Sequence, residues 1–316
     1  MVSGEWTKER KQPPVSPIGG GQGREESNHY SPITNHAFGR LIQCALPTYT
    51  IGRTRIMDIP NHTKRRLAAG EVALGMGARQ ARTVDIATIA KTCGFDWLFI
   101  DMEHSSLDVD MAAQLAMASL AAGITPIVRV PGIEHYHATR LLDNGAQGIV
   151  VPHVDTVEEA KRVASQCRYP PIGKRSLAGS PPTLGFRSVP VGEAARIVNA
   201  ETLVVVMLET PKAMANADAI AQVEGIDVLL IGTNDFCGES GIPGQFDHPK
   251  VEDAYRTVIA ACKKHGKYPG MGGVYEPKLM EKYIGYGMRF ILSGSDLSFM
   301  MAGARARTEF LRSVKL

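Results

Sequence analysis

The sequence predicts an α/β fold, a (β/α)8 (TIM) barrel behind an N-terminal extension. Three observations predict it. Eight short apolar runs recur after residue 57, helical patterns separate them, and most runs are continuously apolar rather than alternating. Continuous apolar strands belong to parallel sheets buried on both faces. Eight strand–helix units in residues 57–316 fit a closed barrel. A doubly wound open sheet is the structural alternative, and the absence of G-x-G-x-x-G after the first run counts against it.

The elements follow in order. VALGMG (72–77) is the first strand, and VDIATIAKTCG (84–94) its helix, ended by a glycine suited to a C-cap. WLFIDM (97–102) leads to MAAQLAMASLAAG (111–123), TPIVRV (125–130) to ATRLLDNG (138–145), and GIVVPHV (148–154) to TVEEAKRVASQC (156–167). LVVVML (203–208) precedes AMANADAIAQV (213–223), IDVLLIG (226–232) precedes VEDAYRTVIAACKKHG (251–266), and PGMGGV (269–274) precedes PKLMEKYIGYG (277–287). FILSGSD (290–296) runs into a last helix from about Leu297. The Gly-, Pro- and Ser-rich stretch 170–190 reads as a long loop, expected as a flap on the barrel's top face.

Residues 1–56 lack sustained periodicity and read as a disordered extension, or as sequence upstream of a true start at Met57. They show no apolar stretch of the signal-peptide kind. They carry seven Lys/Arg against four Glu, which accounts for the whole net charge of +3. The barrel region is therefore formally neutral, and nothing marks a nucleic-acid footprint. No apolar run is long enough to span a membrane. Five scattered cysteines without C-x-x-C spacing read as reduced thiols of a cytoplasmic protein.

In a barrel of this kind the active site lies where the strands end. Asp101-Met-Glu-His104 ends the second strand, Arg129 sits late in the third, and His153 follows the fourth. Glu209 ends the fifth, and Asp235 follows the sixth. A single strand-end acid is often an N-cap, but five consecutive strands delivering polar groups to one rim point to chemistry. A buried Arg129 needs an anionic partner, from the protein or a ligand. Glu209 and Asp235 are two hard oxygen donors on neighbouring strands. Such a pair repels unless protonated or bridged by a cation, and suits Mg2+ or Mn2+ better than Zn2+.

The segments DWLFIDMEHSS, TPIVRVP, VVPHVDTVEEA, RYPPIGKRS and MLETPKAMANADAIAQVEGIDVLLIGTND resemble the HpcH/HpaI aldolase family of class II pyruvate aldolases, over about residues 62–312. The resemblance implies that Glu209 and Asp235 hold a divalent metal, Mg2+ first, with Mn2+ or Co2+ as substitutes. It implies that Arg129 contacts the enolate oxygen. His104, held by Asp101, would be the acid or base. Backbone N–H groups around Thr233 and Asn234 would receive the substrate carboxylate. Charge on an enolate oxygen is what a cation and a guanidinium stabilise, and no lysine sits in any strand run to form a Schiff base.

Three departures, Met207, His153 and the Lys174–Leu177 turn, look more like the macrophomate synthase branch of that family. There, oxaloacetate is decarboxylated and the enolate adds to an acceptor, which His153 and Arg175 could then touch. The implied activity is a metal-dependent carbon–carbon lyase acting on pyruvate or oxaloacetate, with an unidentified acceptor. The resemblance further implies a homo-hexamer that exchanges its final helix. The competing readings are a citrate-lyase-like or malyl-thioester lyase and a catalytically silent 2-oxo-acid binder.

Overall fold

The structure, a computed structural model, describes residues 59–315; the expected extension of residues 1–56 lies outside them. Eight parallel strands close a barrel in sequence order, β1 to β8. They are β1 Ala73–Ala78, β2 Trp97–Asp101, β3 Thr125–Arg129, β4 Gly148–Val151, β5 Leu203–Leu208, β6 Val228–Gly232, β7 Tyr268–Gly272 and β8 Phe290–Ser295. Each coincides with one of the eight apolar runs. Seven described helices continue the expected patterns, among them α2 Ile86–Thr92, α3 Val109–Ala122, α4 His135–Asp143, α5 Val157–Cys167 and α10 Pro249–His265. The other two are α11 Pro277–Tyr286 and α12 Asp296–Ser313.

Four other helices differ from expectation. The run 213–223 forms two five-residue helices, α7 Pro211–Ala215 and α8 Ala217–Ala221, broken at Asn216. α1 His62–Ala68 and α6 Val191–Glu201 were not foreseen, whereas α9 Thr233–Glu239 is the short helix expected directly after the sixth strand. The segment 170–190 is not a flap over the mouth. It joins α5 to α6 and then β5, so it crosses the N-terminal end of the barrel. The contacts agree: the Ile59 N–H donates to the Thr183 carbonyl, Gln147 at the foot of β4 donates to the Ile59 carbonyl, and Arg168 donates to the Thr202 carbonyl at the foot of β5.

Strand alternation divides the core. Leu98, Ile100, Val128, Ile149, Val204, Val206, Leu229 and Ile231 face outward, packed against the helices. Trp97, Phe99, Ile127, Val150, Val205, Met207, Leu230 and Phe290 fill the barrel interior. Trp97 forms the plug, stacked on Phe290 at 4.1 Å and donating from its indole N–H to the Ala73 carbonyl. Gly75 makes room for it, since a Cβ there would stand 2.2 Å from the indole ring. Above this plug the same inward phase carries polar residues. Asp101 follows Phe99 and Arg129 follows Ile127, and the two are register partners on β2 and β3. Glu209 follows Met207 in the same way. No described helix is long and apolar enough to cross a membrane.

Candidate active site

Arg129 and Asp101 form the floor. Nε and Nη2 of Arg129 donate to the two carboxylate oxygens of Asp101 at 3.0 and 2.8 Å, a fork-to-fork pair. Both side chains are buried, at 9 % and 1 % exposure. Nη1 of Arg129 lies 2.8 Å from Glu103 Oε2, and its guanidinium sits over the Phe99 ring. Arg129 thus has the anionic partners its burial requires. Burial alone would raise the Asp101 carboxyl; the Arg129 guanidinium and two backbone N–H groups override it and hold it below the usual range.

Those two N–H groups belong to Glu103 and His104, at 3.1 and 3.2 Å from Asp101 Oδ1. Asp101 thus holds His104 through its backbone. The imidazole, half exposed at the rim, lies 3.9 Å from Glu103. Arg129 donates to both Asp101 oxygens.

Glu209 is 1 % exposed. The His153 N–H donates to its Oε2 at 2.7 Å, and His153 Nδ1 lies 3.3 Å from the same oxygen. His153 adopts φ +53°, a left-handed conformation rare for a residue with a side chain, which turns amide and ring toward one carboxylate. Its Nε2 stands 3.6 Å from Glu103 Oε1. Burial pushes the Glu209 carboxyl up to about 7; the His153 contacts oppose this, and the charges of Asp235 and Glu103 add to it. Asp235 lies in the first turn of α9.

A cavity of about 410 Å³ opens between these groups, lined by Asp101, His104, Arg129 and Asp235 among others. Thr233 and Asn234 line it too. The Thr233 hydroxyl is engaged with the Tyr255 hydroxyl and the Gly272 carbonyl, both at 2.8 Å, so Thr233 offers a ligand its backbone only. Gly232 also lines the cavity, and a Cβ there would meet Glu209 Oε1 at 2.5 Å. Gly232→Ala should push the carboxylate aside and lower turnover about 10- to 100-fold, since displacements near 1 Å have that effect; steady-state kinetics with a metal titration checks it.

The structure does not bring Arg175 to this site. Its side chain is fully buried, paired with Asp143 and stacked at 4.4 Å on Tyr169. The physical reason is topological: Arg175 lies on the connection from α5 toward β5, at the opposite end of the barrel.

No group of three or more His, Cys, Asp or Glu side chains among the described residues is arranged to hold a metal ion. The candidate donors are two carboxylates, buried Glu209 and Asp235 in the first turn of α9. That fits a hard divalent cation that keeps waters and accepts substrate oxygens. Buried Glu209, crowded by two other acids, is the group whose charge such a cation would offset.

Sequence reasoning missed Glu103 and Arg79. Glu103 continues the inward phase of residues 97, 99 and 101, which is the signal that could have found it. Arg79 directly follows β1, a strand-end polar residue of the same kind as those on the strands that follow.

A closed parallel barrel with carboxylates and a buried guanidinium at its C-terminal mouth is an enzyme architecture, and its curated relatives are aldolases, which makes it a lyase. Residues 79–302 match the family model described as HpcH/HpaI aldolase/citrate lyase, and the chain belongs to that family. It is 37% identical over 262 residues to the 4-hydroxy-4-methyl-2-oxoglutarate aldolase tasA of Hapsidospora irregularis, covering 81% of this chain and 96% of that one. Among solved structures, the HpcH/HpaI aldolase from Desulfitobacterium hafniense is similar with a TM-score of 0.75 and 27% identity, covering 80% of this chain and 97% of that chain. Macrophomate synthase gives a TM-score of 0.66 and 25% identity, over 80% of this chain and 90% of its own. The family in general depends on a divalent metal.

Proposed function

We propose that the protein cleaves 4-hydroxy-2-oxo acids by a retro-aldol step that yields pyruvate through its enolate, and decarboxylates oxaloacetate through the same enolate. The observation that carries this reading is that Arg129 and Asp235 line one cavity, with buried Glu209 packed behind its Gly232 and within electrostatic reach of Asp235. The substrate named for the tasA relative, 4-hydroxy-4-methyl-2-oxoglutarate, is of this class. In the cleavage the C3–C4 bond breaks, the C4 hydroxyl loses its proton, and the electron pair passes to the 2-oxo oxygen. C3 then takes a proton to complete pyruvate.

Glu209 and Asp235 would hold Mg2+, with Mn2+ or Co2+ able to substitute, and the ion would supply positive charge beside the 2-oxo oxygen. Arg129, aimed by Asp101 and Glu103, stabilises the same developing charge. His104 moves the proton at the rim. The first-turn N–H groups of α9, at Thr233 and Asn234, receive the C1 carboxylate. His153 borders the acceptor side; Arg175 supports the opposite face and takes no part.

The test is methyl-proton exchange of pyruvate in D2O, followed by NMR. Exchange that needs Mg2+ or Mn2+ and stops with EDTA is expected. No exchange with any divalent ion, together with no consumption of oxaloacetate, would overturn the reading.

We also propose a homo-hexamer. None of the 18 residues of α12 is buried within the chain, and Phe299, Met300, Met301, Phe310 and Leu311 are 44–60% exposed. An apolar helix face of this size calls for cover. Light scattering should report a mass several times 34.1 kDa, and Met301→Glu with Phe310→Glu should lower it. The four described cysteines, Cys93, Cys167, Cys237 and Cys262, are free thiols, which supports a cytoplasmic setting.

A further inference from the structure

We propose that Arg79 is the specificity residue that receives a second, remote carboxylate, so that the preferred substrates are 2-oxo diacids. This rests on the enolate chemistry proposed above and assigns the β1–β8 side of the same cavity. The barrel closes in sequence order, so β1 lies across the mouth from β5, the strand that delivers Glu209. A substrate whose 2-oxo-acid end sits at Glu209, Asp235 and Arg129 therefore extends toward β1 and β8. The lining there is Gly77, Arg79, Leu292, Gly294, Ser295 and Ser298. Arg79 is its one cationic side chain.

Its guanidinium has unused capacity. Nη2 donates to the His104 carbonyl at 3.0 Å. Nε is buried without a hydrogen-bond partner, 3.5 Å from an Asp101 oxygen that Arg129 already occupies. The side chain is 40% exposed, so part of it also faces the open cavity. A planar fork of this kind suits a carboxylate.

The backbone beneath Arg79 is fixed by a device of its own. The N–H groups of Arg79, Gln80 and Ala81 all donate to the Asp296 carboxylate, at 2.7–3.1 Å. Three donors on one carboxylate hold the β1–α2 loop to the start of α12. Asp296 is thus a positioning residue, and Arg79 the group that meets substrate.

Rates of cleavage of 4-hydroxy-4-methyl-2-oxoglutarate, a diacid, and 4-hydroxy-2-oxovalerate, a monoacid, test this. For Arg79→Met the ratio of kcat/KM, diacid over monoacid, is expected to fall about 100-fold, mainly through KM for the diacid. Arg79→Lys keeps the charge without the fork and should retain an intermediate ratio; it also serves if Arg79→Met does not fold. A ratio within about threefold of wild type in both variants, with both rates lowered or both unchanged, overturns the assignment and leaves Arg79 as support for Asp101. Failure of the parent reading is separate: wild-type protein would then exchange no pyruvate protons and cleave neither substrate.

Discussion

Glu209→Gln is expected to leave a folded barrel and lower pyruvate proton exchange by about 10³-fold or more. The carboxylate is one of only two candidate metal ligands, and a neutral amide is a poor ligand for a hard cation in its place. The fold should survive because Gln keeps the shape and still accepts the His153 N–H now given to Oε2. It also removes a buried charge crowded by Asp235 and Glu103. Without metal the variant should therefore melt at or above the wild-type temperature. Wild-type protein should gain stability with Mg2+, by about 2.7 kcal/mol at a hundredfold excess over Kd, and the variant should lose most of that gain. Full metal-dependent activity in Glu209→Gln would remove Glu209 from the site.

Arg129→Met should damage fold and chemistry together. The substitution strips Asp101, 1% exposed, of its paired hydrogen bonds and Glu103 of its ion partner. Breaking a buried pair typically costs about 3–5 kcal/mol, and Arg79, already 3.5 Å from Asp101, can offset part of it. At the lower end the melting temperature falls by roughly 6–12 °C. Turnover should drop by about 10²–10³-fold, the usual effect of losing one preorganised charge at a developing oxyanion.

The pH dependence follows from Asp101. Its depressed carboxyl contributes stability that is present above the unfolded value near pH 4 and lost as pH falls through the folded value. The gap between wild type and Arg129→Met should accordingly be widest near neutrality and narrow on acidification. A gap that widens in acid would contradict the pairing.

The strands were legible because each is apolar on both faces and bounded by polar or Gly-rich turns. The placement of Asp101, His104, Arg129, Glu209 and Asp235 at one rim was legible because each stands at or just beyond the end of such a run. Arg175 and the segment 170–190 were misplaced for a reason sequence pattern does not carry. Loop length says that a connection matters, but only counting the α6 helix that follows it shows which end of the barrel it crosses. α6 itself starts after Pro190 with Val-Gly-Glu and has no side-chain cap, so its beginning leaves little signal. The orientation of the His104 ring was beyond reach too. It depends on Arg129 filling both Asp101 oxygens, a contact between strands that share no local sequence.

The alternation that sorts inward from outward residues also sets which sequence changes this molecule tolerates. Residues 99 and 101 point into the barrel, and 98 and 100 into the helical shell. Inserting one residue within β2 would exchange the two sets, turning Asp101 toward the apolar shell and Ile100 toward solvent in the cavity. Length changes inside a strand therefore forfeit architecture and catalysis in one event. Replacements at the inward positions near the rim can alter substrate preference while the shell stays intact. Divergence within such a chain should proceed by exchange of residue identity at the strands and by change of length only in the connections, so that new activities arise without passing through unfolded intermediates.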